Sequence, residues 1–314
     1  MRAHLSEGIN RTSLSLCFVL SVSWALPCIC PADLPELELI SVLPIIGPMN
    51  NQPSGLTIHD GRLVTVSDKH DSHIYELKMS ETVAEQIPLM ELAVDSLPDR
   101  HGILDLEGIT VDSSGSLLLV SESHFRVIQV SDKHLTWLTP SLQEAGMNVG
   151  LFKTRGAFFE GIVFIDNKFF LSGERQPRGI VEYDLETKRS VAHVVNETRF
   201  PLRIGRSPDF AGMYYFQDRM FVLHRNAHVI SELVFEGGEW KENEGYSFDR
   251  TENDERYAYS IMIYGRAEGL AMDEDRVYVV LDNNNNQRSN DVTDVRPLLL
   301  IFKNPFSHTS AKLK

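Results

Sequence analysis

Apolar and polar positions in this chain alternate in short runs of about five to seven residues, punctuated by Asp, Asn and Gly, and helical periodicity is nearly absent. Such a pattern predicts short strands joined by tight turns. One phrase recurs five times: SGLTIHDGRLVTVSD from Ser54, EGITVDSSGSLLLVSE from Glu107, EGIVFIDNKFFLSGE from Glu160, AGMYYFQDRMFVLHR from Ala211 and EGLAMDEDRVYVVLD from Glu268. Its glycines, Gly55, Gly108, Gly161, Gly212 and Gly269, are spaced by 53, 53, 51 and 57 residues. Each copy reads as a strand, a polar turn with hairpin chemistry and a second strand. A third strand follows (HIYELK, RVIQVS, GIVEYDL, HVISELV, PLLLIF), and often a fourth (VAEQIPL, HLTWLT, SVAHVV).

Four strands in each repeat of about fifty residues predict an all-β fold, a β-propeller of four-stranded blades. A single blade cannot bury its faces, so blades must stack radially. Five blades are expected, with a sixth left open by the irregular stretch from Val234 to Asp254. The strand ELELISVLPI (Glu36 to Ile45) precedes the first blade and has none of its own. It is expected to supply the missing fourth strand of the last blade and so close the ring.

The geometry gives two sets of positions special weight. The first and second strands of a blade are antiparallel, so the start of one and the end of the other lie at the same end. Residues before each glycine (Ser54, Glu107, Glu160, Ala211, Glu268) and residues ending each second strand (Asp68, Glu122, Glu174, Arg225, Asp282) should therefore surround one channel mouth. Seven of those ten are carboxylates. So many like charges need raised pKa values or a bound cation, and a hard ion with oxygen ligands, Ca²⁺, is the simplest candidate. The candidate metal ligands are Glu107, Glu160 and Glu268, nearest the axis, with Asp68, Glu122, Glu174 and Asp282 around them. Strand-end acids also accept hydrogen bonds from loop amides for structural reasons alone, and that reading stands beside the metal.

The fourth copy breaks the pattern with Ala211 and Arg225. Arg225 either pairs with neighbouring acids or, with Arg175 and Arg178 of GERQPRG, receives the anionic part of a ligand. His124, two residues past a strand-end acid, is a candidate acid/base group. The loop DNNNNQRSNDVTDVR (Asp282 to Arg296) is expected to be a mobile rim of the mouth. No HExxH, GxSxG, GxGxxG or Walker motif occurs, so nucleophile-elbow and nucleotide chemistry have no support.

Composition narrows the classes. Of 314 residues, 42% are hydrophobic and 24% charged, enough for a sizeable core. With 30 basic against 44 acidic residues the net charge is −14, which argues against nucleic acid partners. Arg2 and Arg11 precede the apolar run LSLCFVLSVSWA, with Ser23 and Ala25 as small residues at a cleavage site. This reads as a secretory signal peptide. The expected organisation is signal peptide 1–25, linker 26–35, propeller 36–306 and C-terminal tail 307–314, in a secreted or periplasmic monomer with no membrane association after cleavage. Cys17, Cys28 and Cys30 are the only cysteines, so neither a disulfide scaffold nor a zinc–thiolate site is expected in the propeller.

The phrases LDLEGITVDSSGSLLLVSE, FFEGIVFIDNKFFLSGERQPRG and VYVVLDNNNN…RPLLLIFKNP resemble the phytase-like family, also described as "esterase-like activity of phytase", over roughly Ser54 to Pro305. The resemblance implies a secreted or periplasmic propeller acting on phosphate or carboxylic esters. The dense acidic motifs of calcium-dependent propeller phytases are not matched, so phytate hydrolysis does not follow. Two function classes remain. One is a metal-assisted esterase or phosphoesterase with a small anionic or ester ligand. The other is a non-catalytic extracytoplasmic binding module. A lactonase-like hydrolase, needing the metal but not the arginines, is a variant of the first.

Overall fold

The hairpins form as expected and stack into five blades. The computed structural model describes residues 34–48, 52–131, 134–260 and 266–307. The expected signal peptide, the three cysteines and most of the C-terminal tail lie outside them. In chain order, β1 (Leu39–Ile46) precedes four complete blades. They are β2–β5 (Pro53–His59, Arg62–Ser67, His73–Met79, Ala84–Glu91), β6–β9 (Leu106–Val111, Leu117–Ser121, Arg126–Val130, Leu135–Trp137), β10–β13 (Phe159–Ile165, Lys168–Gly173, Gly179–Asp184, Arg189–Val194) and β14–β17 (Gly212–Phe216, Arg219–His224, Val229–Glu236, Glu239–Ser247). The fifth consists of β18 (Ala267–Met272), β19 (Arg276–Leu281), β20 (Leu298–Lys303) and, outermost, β1.

β1 runs antiparallel to β20 from Leu39↔Phe302 to Pro44↔Leu298 and continues parallel to β5 at Ile45↔Ala84 and Ile46↔Glu85. One strand thus completes the last blade and ties it to the first, removing the free edge that an open ring would expose. The irregular stretch near Val234 resolves into β17, so the fourth blade is complete and the described residues contain no sixth. β17 (EWKENEGYS) faces mostly solvent, which is why its sequence lacks the apolar alternation of an ordinary strand.

Turns at one end of the ring are short. Asp60–Gly61, Asp166–Asn167, Gln217–Asp218 and Gly237–Gly238 all have positive φ at both central positions, the two-residue geometry that matches strand twist. The longer connections, including helix α1 (Gln143–Val149) and helix α2 (Asp249–Glu252), collect at the opposite end.

Five apolar slabs lie between successive blades. Val64, Leu104, Leu119 and Ile128 fill the first, and Val120, Phe159, Phe169 and Val181 the second. Phe210, Met213 and Val222 fill the third, Phe221, Phe248, Val279 and Phe302 the fourth, and Leu56, Leu77, Val280 and Leu299 the closing one. Each blade is covered on both faces, so inner strands such as β7 (LLLVS) are buried at every position.

Around the axis the innermost strands touch through backbone. A Cβ on Gly55 would lie 2.7 Å from the Gly108 Cα, and one on Gly108 would lie 2.9 Å from the Glu160 carbonyl. On Gly161 it would meet the Met213 amide at 2.7 Å, on Gly212 the Glu268 carbonyl at 2.8 Å, and on Gly269 the Ser54 carbonyl at 2.3 Å. The repeated glycine is therefore a closest-approach position between neighbouring inner strands. Gly269→Ala should cost about 1–3 kcal/mol through overpacking against rigid backbone. Chemical denaturation would show it as a lower midpoint, and an unchanged midpoint would contradict the tight ring.

Candidate functional site

Immediately above the glycine layer the channel opens into a well of about 280 Å³, while within the layer only about 10 Å³ remains. The well is thus nearly closed below and open at the loop end. Its position follows from the blade geometry. Pre-glycine residues point up from the start of each inner strand, and second-strand ends stand beside them. A repeated backbone bond holds the two together: the amides of Glu122, Glu174 and Asp282 donate to the carbonyls of Asp105, Phe158 and Arg266, each three residues before a glycine.

All seven carboxylates expected at the mouth line this well: Asp68, Glu107, Glu122, Glu160, Glu174, Glu268 and Asp282. An eighth, Asp105, joins them, and among the described residues only Lys69, Arg175 and Arg225 bring positive charge to its lining. Asp68, Asp105 and Glu107 each present an oxygen within 4.8 Å of the other two, close enough for one ion to bridge all three. The axial trio expected from the sequence, Glu107, Glu160 and Glu268, does not form such a group; Glu107 belongs to the wall with Asp68 and Asp105 instead.

Arg225 organises the opposite wall. Its Nη1 donates to Glu268 Oε1 at 2.5 Å, its Nη2 to Glu174 Oε1, and its Nε to Asp209 Oδ2 at 3.3 Å. Asp209 is fully buried, and its other oxygen accepts the Asn226 amide at 2.9 Å. Arg175 also pairs with Glu174. Three carboxylates around one guanidinium leave it little positive potential to offer an anionic ligand.

Other carboxylates are partly satisfied. Glu122 Oε1 accepts the Phe158 amide, and Asp282 Oδ1 the Asn284 amide, both at 2.8 Å. Asp68 pairs with Lys69. Yet Glu174 Oε2, Glu268 Oε2 and Asp68 Oδ1 are buried without a hydrogen-bond partner among the described residues. An unpartnered buried carboxylate oxygen is costly unless a proton or a cation meets it.

The protonation equilibria reflect this. Burial, then the charges of Asp68 and Glu122, pushes Glu107 well above the ordinary glutamate value, and burial with Glu107 beside it does the same to Glu160. Burial raises Glu122 to about 7, Glu268 to about 8 despite Arg225, and Asp282 to about 6. At neutral pH the well therefore retains protons on groups that would be ionised in solvent, and a bound cation would compete with them.

Two expectations from the sequence are corrected by position. His124 does not line the well. It is buried beneath the loops of the second blade, with Nδ1 at 3.0 Å from Ser121 Oγ and 2.8 Å from Ser123 Oγ and its Nε2 accepting the His101 amide at 3.2 Å. Its ring packs against His101 and Trp137, and burial lowers its pKa, so it acts as scaffold. Arg178 likewise turns away. It is buried against Phe210, paired with Glu242 and bonded to the Val195 carbonyl at 2.9 Å and His224 Nδ1 at 2.7 Å.

The Asp282–Arg296 loop contributes Asp282 and Asn284 to the well but is tied down rather than free. The Ser260 amide donates to the Gln287 carbonyl and the Ser289 amide to the Ala258 carbonyl, both at 2.8 Å. The Arg288 guanidinium lies 4.1 Å from the Tyr259 ring centroid. The residues missed by the sequence reading, Asp105 and Asp209, both stand three positions before a repeat glycine, so reading one step further upstream would have found them.

The model of a family described as SdiA-regulated matches residues 40–285, more than half of the chain. No curated protein matches it significantly in sequence. Among solved structures, a gluconolactonase from Xanthomonas campestris is similar with a TM-score of 0.48 at 9% identity, covering 92% of this chain and 100% of that one. The PQQ-bound aldose sugar dehydrogenase of Streptomyces coelicolor gives 0.44 at 12%, over 86% and 98%. Virginiamycin B lyase of Staphylococcus aureus gives 0.40 at 13%, over 86% and 75%. Likenesses this distant carry nothing about chemistry, and the phytase-like resemblance is finer than these matches reach.

Glu122 and Glu268 have folded-state pKa values above the 4.5 of an ordinary glutamate, so between about pH 4.5 and 8 the folded protein binds more protons than the unfolded chain. Their stabilising contribution is complete below that window and is lost as pH rises through it. In chelator, the melting temperature should fall by roughly 5–10 °C across the window. Glu122→Gln should flatten the slope. A melting temperature that rises over the same range would contradict the buried, mutually repelling carboxylates.

Proposed function

We propose that this chain, which belongs to the SdiA-regulated family, is a β-propeller hydrolase that holds a hard divalent cation, Ca²⁺, in its acidic well and cleaves a lactone or other carboxylic ester there. The observation that carries this reading is the group formed by Asp68, Asp105 and Glu107, with one oxygen from each within 4.8 Å of the others. It is supported by the three buried carboxylate oxygens of the well that no donor among the described residues meets. A hard ion suits an all-oxygen donor set, and no cysteine or histidine among the described residues lines the well.

Asp68, Asp105 and Glu107 would hold the ion, which when bound would supply Lewis-acid polarisation of an ester carbonyl and a more acidic water. Glu122 is the candidate general base. Its carboxylate is oriented by the Phe158 amide, and burial brings its pKa to about 7, where a base exchanges protons at neutral pH. Arg175, whose side chain is 23% exposed, is the guanidinium nearest solvent and can donate hydrogen bonds to a substrate hydroxyl or carbonyl. The glycine layer shuts the well from below, so water and substrate share the mouth.

The state of Arg225 decides between ester classes. A phosphate ester needs uncommitted positive charge, and Arg225 is surrounded by Glu174, Asp209 and Glu268. A lactone or neutral carboxylic ester makes no such demand. The N-terminal address carries the activity outside the cytoplasm, where calcium sites can be weak and still be filled. The resemblance to esterase-like propellers points the same way.

Elemental analysis of the purified protein should find about one calcium per chain, and chelator should lower its melting temperature. Glu107→Gln should abolish the metal-dependent shift. Glu122→Gln should keep it but slow turnover of a lactone or ester panel by roughly a hundredfold or more. Absence of metal with unmoved melting would sink the hydrolase reading. Metal binding with no turnover of any ester would leave the propeller as a calcium-dependent binding module.

A further inference from the structure

The cation-binding wall already contains a positive charge from the protein itself. Lys69 follows the end of β3, and its ammonium pairs with Asp68 Oδ2, one of the three groups that would hold the ion. The negative charges of Glu107 and Asp105 act on the same ammonium. Its backbone is held at the mouth because Ser67 Oγ accepts the amides of Lys69 at 3.2 Å and His70 at 3.3 Å. The Lys69 side chain, however, is 50% exposed, while that of Asp68 is 14% exposed, so the ammonium can leave for solvent without disturbing the wall.

We propose that Lys69 is a tethered occupant of the cation position, which a divalent ion must displace, and that it thereby sets the affinity of the well. This rests on the metal reading above. The physical argument is a competition between one fixed local charge and a mobile divalent ion. The ammonium is a compact point charge on a flexible four-carbon stem, so it stays close to the carboxylates whether or not it touches them. It compensates Asp68 when no ion is bound and opposes the ion when one arrives. A half-exposed pair is weak enough for a divalent ion to break and strong enough to shift the binding midpoint.

The test is calorimetric titration of calcium chloride into the full chain after removal of chelator, with thermal melting to confirm that each variant folds. Lys69→Gln should bind calcium roughly 1.5- to fivefold more tightly than the original protein, the range set by a half-exposed ion pair. Lys69→Arg, which keeps the charge, should bind like the original. Equal or weaker binding by Lys69→Gln would overturn the proposal while leaving the metal site standing. Equal tightening in Lys69→Arg would also overturn it, since charge would then not be the cause. If the original protein and both variants bind no calcium, the metal reading itself fails and the proposal fails with it.

Discussion

The contact on which the structure depends is the backbone approach of the five innermost strands at their glycines. Gly55, Gly108, Gly161, Gly212 and Gly269 each leave no room for a Cβ beside the next inner strand. That contact sets the ring's radius, pinches the channel and fixes the height at which the preceding residues face one another. The carboxylates are crowded because the strands are. A wider ring would let Glu107, Glu160 and Glu268 keep separate hydration shells, and their equilibria would be those of surface acids.

Crowding of this kind has few physical remedies: protons, fixed cations or mobile ones. The well combines them unevenly. On one wall Arg225 is a permanent cation, held by Glu174, Asp209 and Glu268 and buried with the first two. On the other, Asp68 pairs with the ammonium of half-exposed Lys69, and the charges of Asp105 and Glu107 act on the same ammonium. The first arrangement is structural, since removing either charge would strand the other in a poorly solvated place. The second, on the proposal above, is exchangeable. The asymmetry arises from the fourth repeat, where Ala211 and Arg225 replace the two acids found in its neighbours.

This division also bears on what the site can do. A propeller scaffold is compatible with many chemistries, so function must be argued from the well alone. Its lining offers hard oxygen donors and a glutamate poised near neutrality, no histidine or cysteine among the described residues lines it, and Arg225 is already committed to three carboxylates. Those facts favour attack on a neutral carbonyl over transfer of an anionic group.

Much of this was legible in the chain before folding. A fifty-residue period with four short strands leaves little besides a propeller, and an orphan N-terminal strand together with an incomplete last blade implies closure by β1. Antiparallel pairing fixes which ends coincide, so the convergence of seven carboxylates on one mouth followed from register alone. Register says nothing about lateral distances or about loops outside the repeat. Tertiary structure therefore decided that Asp105, with Asp68, forms the close oxygen group with Glu107 and that Asp209 helps hold Arg225. It likewise decided that His124 is packed away under Trp137 and that a glutamate-rich segment is the strand β17. Periodic backbone geometry is written locally in the sequence; which charged side chains share a partner depends on three-dimensional distances that no local pattern encodes.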